Sequence, residues 1–367
     1  MLASILLLGT LILIHELGHY LAARAAGIRV QEFSVGVGPT LLSRVVKGTR
    51  YSLRWLPFGG YVLMHHPDLD TDADLLYAPV DSPDLGLQDT TPQTDTTSAK
   101  KRRRESVSVL DASPARRAAV LLSGSVMNLL FAIAVMVSLV STESVLVSTT
   151  VAGFREESLS AQSGLQEGDA ILRIDGKRIY VSNSIITQIV GAKTDTVPVL
   201  VRRDGARVLL PAVRFPMSGS IYVPDFFCYR QVKTPWTVVR EGYFICLTMI
   251  RDVYTALVGM VAGKVPISEL SGPVGTSQVI SEVAREGFAP LMQVGAFISV
   301  NLAVFNLLPF PALDGGKLLF LALERIRGRP ARPELEGFLN MIGFALLILL
   351  LVLVTYRDLL RLFGVGI

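Results

Sequence analysis

Five letters, His15-Glu16-Leu17-Gly18-His19, sit inside an apolar run that extends from Leu2 to Ala23. No other feature restricts the fold as much. A run of this length lets an α-helix cross a hydrocarbon layer. Ionisable side chains at that depth are costly unless they pair or serve a site. On a helix, His15 and His19 lie one turn apart and project from one face. One Zn²⁺ can take both imidazoles there. Glu16 follows the first imidazole and is placed to act as general base on a water activated by that metal. Ordinary helix positions explain many matches to this pattern in soluble chains. Here that explanation leaves three polar groups in lipid without a purpose, and two of the chain's four histidines fall in the motif.

Composition agrees with a multi-pass membrane chain. The 367 residues leave room for two or three domains, and half are hydrophobic. Mean hydropathy is +0.48, high for a soluble globule. A net charge of +4 is too small to argue for nucleic acid. No Lys or Arg precedes the first apolar run, whereas Arg24 and Arg29 follow it. That pattern argues against a secretory leader, and it puts the start of the chain outside and Arg24 in the cytoplasm. Cys228 and Cys246 match no zinc-ribbon or redox spacing. They read as packing residues, with a disulfide between them as the alternative.

Residues 1–64 hold the first span and then, from Ile28 to Met64, strand-like pieces punctuated by glycine. They predict a small hairpin sheet at the cytoplasmic membrane surface. Its open edge can pair with an extended substrate strand; a hairpin that only packs fits the letters equally well. Residues 65–108 turn rich in Asp, Thr, Ser and Pro and read as a disordered cytoplasmic loop. His65 and His66 read there as solvated side chains, with a second metal site as the alternative. The run Lys100 to Arg104 suits anionic lipid headgroups.

Residues 109–142 carry a second span, from about Ala118 to Val140, after Arg116 and Arg117. Gly124 and Ser125 allow close helix approach. Asn128 brings an amide into the membrane, either for an interhelical hydrogen bond or to hold a substrate backbone or ligand carboxylate. Residues 143–235 read as one α+β domain outside the membrane. Gly168-Asp169 and Asp175-Gly176 make turns around an alternating run, as in a PDZ core. Within 236–290, Arg251 and Asp252 interrupt the apolar stretch 241–262, which predicts an amphipathic helix at the outer interface, with a fifth span as the alternative.

Residues 291–367 carry a third span, about Leu291–Leu308, and a last one, about Phe338–Val354. Pro309 and Pro311 end the third helix, and Gly315-Gly316 permit tight backbone. Irregular backbone at membrane depth survives only where protein or a wet cavity surrounds it. Asp314 is therefore the candidate third zinc ligand, with a helix-capping aspartate as the alternative. Lys317, Arg325, Arg327, Arg329 and Arg332 mark the following loop as cytoplasmic. The expected fold class is a multi-pass α-helical membrane protein. It has four transmembrane helices, a membrane-associated hairpin sheet, one extracytoplasmic PDZ domain and both chain ends outside.

The H-E-L-G-H motif in the first span, Leu313-Asp314-Gly315-Gly316 in a late one and a PDZ core between them resemble the site-two protease family. The regulator-of-sigma-E proteases are the most similar branch. The resemblance implies an intramembrane zinc metalloprotease in the bacterial cytoplasmic membrane, with its active site toward the cytoplasm. His15, His19 and Asp314 would hold Zn²⁺, and Glu16 would activate water. Asn306 matches the family asparagine that contacts substrate. Gly124 and Asn128 match a glycine and an asparagine of the second span, although the family has proline where this chain has Ser125. Gly36-Val37-Gly38 and Gly59-Gly60-Tyr61-Val62 resemble the hairpin beside the active site, so Gly59 and Gly60 join the substrate-binding candidates. The expected partners are the lipid bilayer and single-span membrane proteins, such as trimmed anti-sigma factors or remnant signal peptides, and no nucleic acid. Two other functions fit parts of the chain. A PDZ adaptor with a structural or vestigial zinc would make Glu16 dispensable. A membrane-anchored zincin would need a third ligand in an aqueous segment.

Overall fold

A computed structural model describes residues 2–64, 112–263, 271–329 and 333–363. The expected loop 65–108, His65, His66, the Lys100–Arg104 run and Arg332 lie outside the described residues. The chain divides into two compact units. One comprises Met1–Leu130, Ile267–Leu291 and Asn301–Ile367; the other comprises Phe131–Pro266 and Met292–Val300.

Five helices among the described residues are long and apolar enough to cross a membrane, where four spans were expected. Leu2–Ala25 (α1), Pro114–Thr142 (α2), Phe288–Asn306 and Pro333–Leu362 answer to the expected four. The additional one is Pro235–Val261, a 27-residue helix over the segment expected at the interface.

In the first unit, α1 crosses α2 closely. A Cβ on Gly18 would lie 2.4 Å from the Ser123 carbonyl oxygen, so only glycine permits this approach. Ala23, Ile28, Val30, Ala112 and Val120 form the apolar cluster below the crossing. The strands Val30–Val46 (β1) and Thr49–Met64 (β2) pair antiparallel. Lys47 and Gly48 turn between them with φ of 50° and 81°, as a two-residue hairpin loop with both φ positive requires.

This hairpin is folded back on itself. Val35, Ser34 and Phe33 pair with Gly60, Tyr61 and Val62, yet the same three also pair with Leu53, Ser52 and Tyr51. In the second set the numbers rise together, so the outer arm of β2 lies beside the inner arm of β1. The reversals fall at Gly36 and Gly59, whose φ of 85° and 84° an L side chain resists. Inside the fold, Arg54 donates to Glu32 at 2.9 Å, and the Ser52 hydroxyl donates to the same carboxylate at 2.6 Å. Leu42, Val45 and Trp55 on the outer arm are exposed.

The second unit holds an antiparallel sheet with the strand order Phe226–Gln231, Leu146–Phe154, Ala170–Ile174, Thr196–Arg203, Ala206–Arg214. The short strand Lys177–Arg178 adds to Ala170–Ile174. Val151, Ile171, Ile174, Ile189, Val199 and Val201 fill its core. Asp169, fully buried, receives two bonds from Arg203, at 2.8 and 2.7 Å. Cys228 and Cys246 are free thiols. The helix Pro235–Val261 packs on this unit: Tyr180 stacks on Phe244 at 4.9 Å, and the Ser184 and Thr248 hydroxyls meet at 3.1 Å. Arg251 bonds to Asp252 and to the Arg178 carbonyl, so both central charges have partners.

Candidate metal centre

Helix α1 presents His15 and His19 on one face, and both are buried. Asp314 reaches them from the far end of the chain. The helix Phe288–Asn306 stops before Pro309, and residues 307–313 reverse direction with Phe310 N–H donating to the Leu308 carbonyl at 2.7 Å. A new helix, Asp314–Arg327, starts at once. Its Gly315 and Gly316 rest on that reversal: a Cβ on either would come within 2.2 Å of the Leu308 carbonyl or 2.3 Å of that of Phe310. The glycine pair thus lets the first helical turn seat on its own connecting loop, which swings Asp314 back toward α1. Asp314 does not cap its helix. The cap position is Leu313, and the Asp314 carboxylate faces the imidazoles instead.

Three atoms form one small triangle. Asp314 Oδ2 lies 3.2 Å from His15 Nε2 and 3.2 Å from His19 Nε2, and the two Nε2 atoms are 3.1 Å apart. A tetrahedral Zn²⁺ with bonds of about 2.0–2.1 Å holds neighbouring ligand atoms ~3.3 Å apart. The residues present therefore fit this metal. The His19 ring agrees: Nδ1 donates to the Val120 carbonyl at 2.8 Å, which leaves the Nε2 lone pair free for an ion. His15 Nδ1 is buried with no hydrogen-bond partner among the described residues. Gly124 supplies the space. A Cβ there would lie 2.5 Å from His19 Nε2 and 2.7 Å from His15 Nε2.

These groups open on a cavity of about 340 Å³ that Glu16, Asn128, Asn306, Leu313, Tyr61 and Lys317 help to line. Asn306 Nδ2 lies 3.5 Å from His15 Nε2. Asn128 is fully buried at the cavity wall. Gly60 comes within van der Waals distance of Glu16, its built Cβ being 3.7 Å from Cγ, and Gly59 lies beside Ile12. His15, Glu16, His19, Asp314, Asn128 and Asn306 thus line one space, and Gly59 and Gly60 lie against two of its lining residues, Ile12 and Glu16. Ser125 is buried in an α2 that runs unbroken through it.

Two cavity residues escaped the sequence reading. Lys317 was assigned only to the cytoplasmic loop, but it stands one helical turn after Asp314 and faces the same space. Its spacing of three from Asp314 was the available signal. Tyr61 was read as part of the hairpin motif alone. Its ring lines the cavity, and its hydroxyl meets Arg54 of the buried Glu32 cluster. Burial works against the Glu32 charge, but hydrogen bonds from Ser52, Arg54 and Tyr61 outweigh it and hold the carboxyl below the usual range.

The profile of peptidase family M50 matches residues 3–350. The zinc metalloprotease RasP of Bacillus licheniformis is 32% identical, over 98% of this chain and 99% of its own length. The regulator of sigma-W protease RasP of Bacillus subtilis is 30% identical, over 98% of each chain. A putative zinc metalloprotease of Clostridium acetobutylicum is 31% identical, over 97% of this chain and 96% of its own.

Proposed function

The chain belongs to peptidase family M50, and on that premise we propose that it is an intramembrane zinc endopeptidase that cuts single-span membrane proteins. One observation carries the reading: two imidazoles and a carboxylate 299 residues further along the chain meet at hydrogen-bonding distance on one buried spot. His15, His19 and Asp314 hold Zn²⁺. Bound there, the ion supplies a Lewis acid for the scissile carbonyl and makes a nearby water more acidic. Glu16 accepts the proton of the attacking water and returns it to the leaving amine. Asn306 and Asn128 hold the peptide backbone, and their amides suit that task because each offers a donor and an acceptor.

A peptide bond in a helix is shielded by its own hydrogen bonds, so the substrate must enter as an extended strand. The inner arm of β2 supports this. Gly60 to Val62 pair with β1, while Tyr61, Val62 and Met64 face the cavity. A strand added beside that arm lies next to Glu16. Trimmed anti-sigma factors and remnant signal peptides are the substrate classes that fit; one relative is named for regulating sigma-W.

Four helices cross the bilayer, both chain ends lie outside, and the sheet of the second unit is an extracytoplasmic PDZ domain. The helix Pro235–Val261 lies at the outer interface. Its central charges and its contacts with that sheet are easier to keep beside water than in hydrocarbon. The adaptor reading makes Glu16 dispensable. Glu16→Gln decides between the two: bound zinc is expected to stay near one per chain while cleavage of a single-span reporter falls at least about 10³-fold. Undiminished cleavage removes the mechanism.

A further inference from the structure

We propose that Asn340, on the last membrane helix, is a positioning residue for the Asp314 carboxylate and acts through the backbone of Ala312. The inference rests on the reading of Asp314 as a metal ligand.

The loop before Asp314 contains an unusual residue. Ala312 has φ of +73°, a left-handed conformation that an alanine rarely adopts. It stands two residues before Asp314, directly ahead of Leu313, the cap position of the following helix. Something outside the loop must hold it there. Asn340 Oδ1 accepts the Ala312 N–H at 3.0 Å. One turn further along the same helix, Gly343 offers a gap in the side chains. A Cβ there would lie 2.5 Å from the Pro311 carbonyl oxygen, so the loop beds directly against the helix backbone. A second contact lies near the helix end, where the Gly275 N–H donates to the buried Asp358 at 2.8 Å. Leu346, Leu349 and Leu353 are exposed, as befits a lipid-facing surface. The Asn340 contact falls where backbone strain needs support.

The physical chain is short. Without the Asn340 oxygen, the Ala312 amide loses its partner and relaxes toward negative φ. The 307–313 reversal then rotates, and the Asp314 oxygen leaves the triangle it shares with His15 and His19. Glycine at 312 accepts positive φ without a Cβ penalty. It should therefore hold the reversal even without Asn340, which separates positioning from mere loss of stability.

The test uses full-length protein in detergent. Zinc affinity is measured by chelator competition, and the visible absorption of the Co²⁺-loaded protein reports the ligand field. Asn340→Ala is expected to weaken zinc about tenfold, the scale of outer-shell partners, and to shift the Co²⁺ bands. Turnover should fall with KM unchanged. Adding Ala312→Gly to that variant is expected to recover the bands and most of the affinity. Unchanged affinity and bands in Asn340→Ala overturn the proposal, as does a loss that Ala312→Gly does not recover. If Asn340→Ala does not fold, Gly343→Ala pushes on the same loop from Pro311. It must also weaken zinc; unaltered binding overturns the proposal. Asp314→Asn tests the parent reading separately: zinc retained there removes the ligand assignment, whereas zinc lost there with Asn340→Ala silent removes only the present inference.

Discussion

Two carboxylates in the first unit, the buried Glu32 and the half-buried Asp314, differ in what completes them. Glu32, inside the folded hairpin, has its own cation: Arg54 donates to it at 2.9 Å, and Ser52 adds a second hydrogen bond. Asp314 has two imidazoles at 3.2 Å as its ion-pair partners. Both imidazoles offer their Nε2 atoms to the same point as the carboxylate oxygen. The Glu32 cluster is electrically closed by the chain itself, whereas the Asp314 cluster, in the reading proposed above, takes a metal cation. A buried charge with an internal partner builds structure, and one without is a place to bind.

That contrast can be broken most severely at Gly124. Gly124→Ala places a methyl 2.5–2.7 Å from both ring nitrogens. It is expected to lower zinc affinity about 100-fold or more, read by chelator competition, while the helical circular dichroism stays unchanged. Wild-type affinity would show that the triangle is not the metal's seat.

Arg54→Ala attacks the self-contained cluster instead. It strands the Glu32 carboxylate and is expected to destabilise the hairpin by about 3–5 kcal/mol, as for other buried pairs that lose one partner. Proteolysis of residues 30–64 should rise while zinc stays bound at neutral pH. Double replacement of Arg54 and Glu32 by Met and Gln should recover most of the loss, and failure to recover would mean that the pair does not act as a unit.

The smallest effect concerns acid. The folded Glu32 carboxyl titrates below its ordinary value, so its stabilisation is complete above the unfolded pKa, near 4.3, and is lost as pH falls through the lower folded one. Glu32→Gln should flatten that part of the hairpin's acid unfolding curve below about pH 4. An unchanged curve would assign the acid sensitivity to another group.

Much of the site was legible because its chemistry is written in local spacing. His15, Glu16 and His19 are one helical turn, and Asp314 stands out because prolines and glycines surround it at membrane depth. Asn128 stands out as an amide in an apolar span, and Asn306 and Gly60 come from the resemblance; both asparagines line the cavity, and Gly60 lies against Glu16. Lys317 was missed because a basic residue after a span reads first as a topology marker. Asn340 was missed because an asparagine in an apolar helix says nothing about which backbone it will meet. The fifth candidate span, Pro235–Val261, arose because Arg251 and Asp252 interrupt hydropathy without interrupting the helix, each charge having a partner. The fold-back of the hairpin was also hidden. Glycines at 36 and 59 signalled turns, but not that one strand would pair with two arms of the other.

By itself the sequence determined which side chains could bind a metal and that His15 and His19 lie in an apolar helix, since periodicity and composition act over a few residues. Only the tertiary structure decided that Asp314 meets His15 and His19, that Val120 sets the His19 tautomer, and that Gly124 leaves the gap between them. These depend on which distant backbones approach within a few ångströms, and close packing settles that jointly for the whole unit rather than residue by residue.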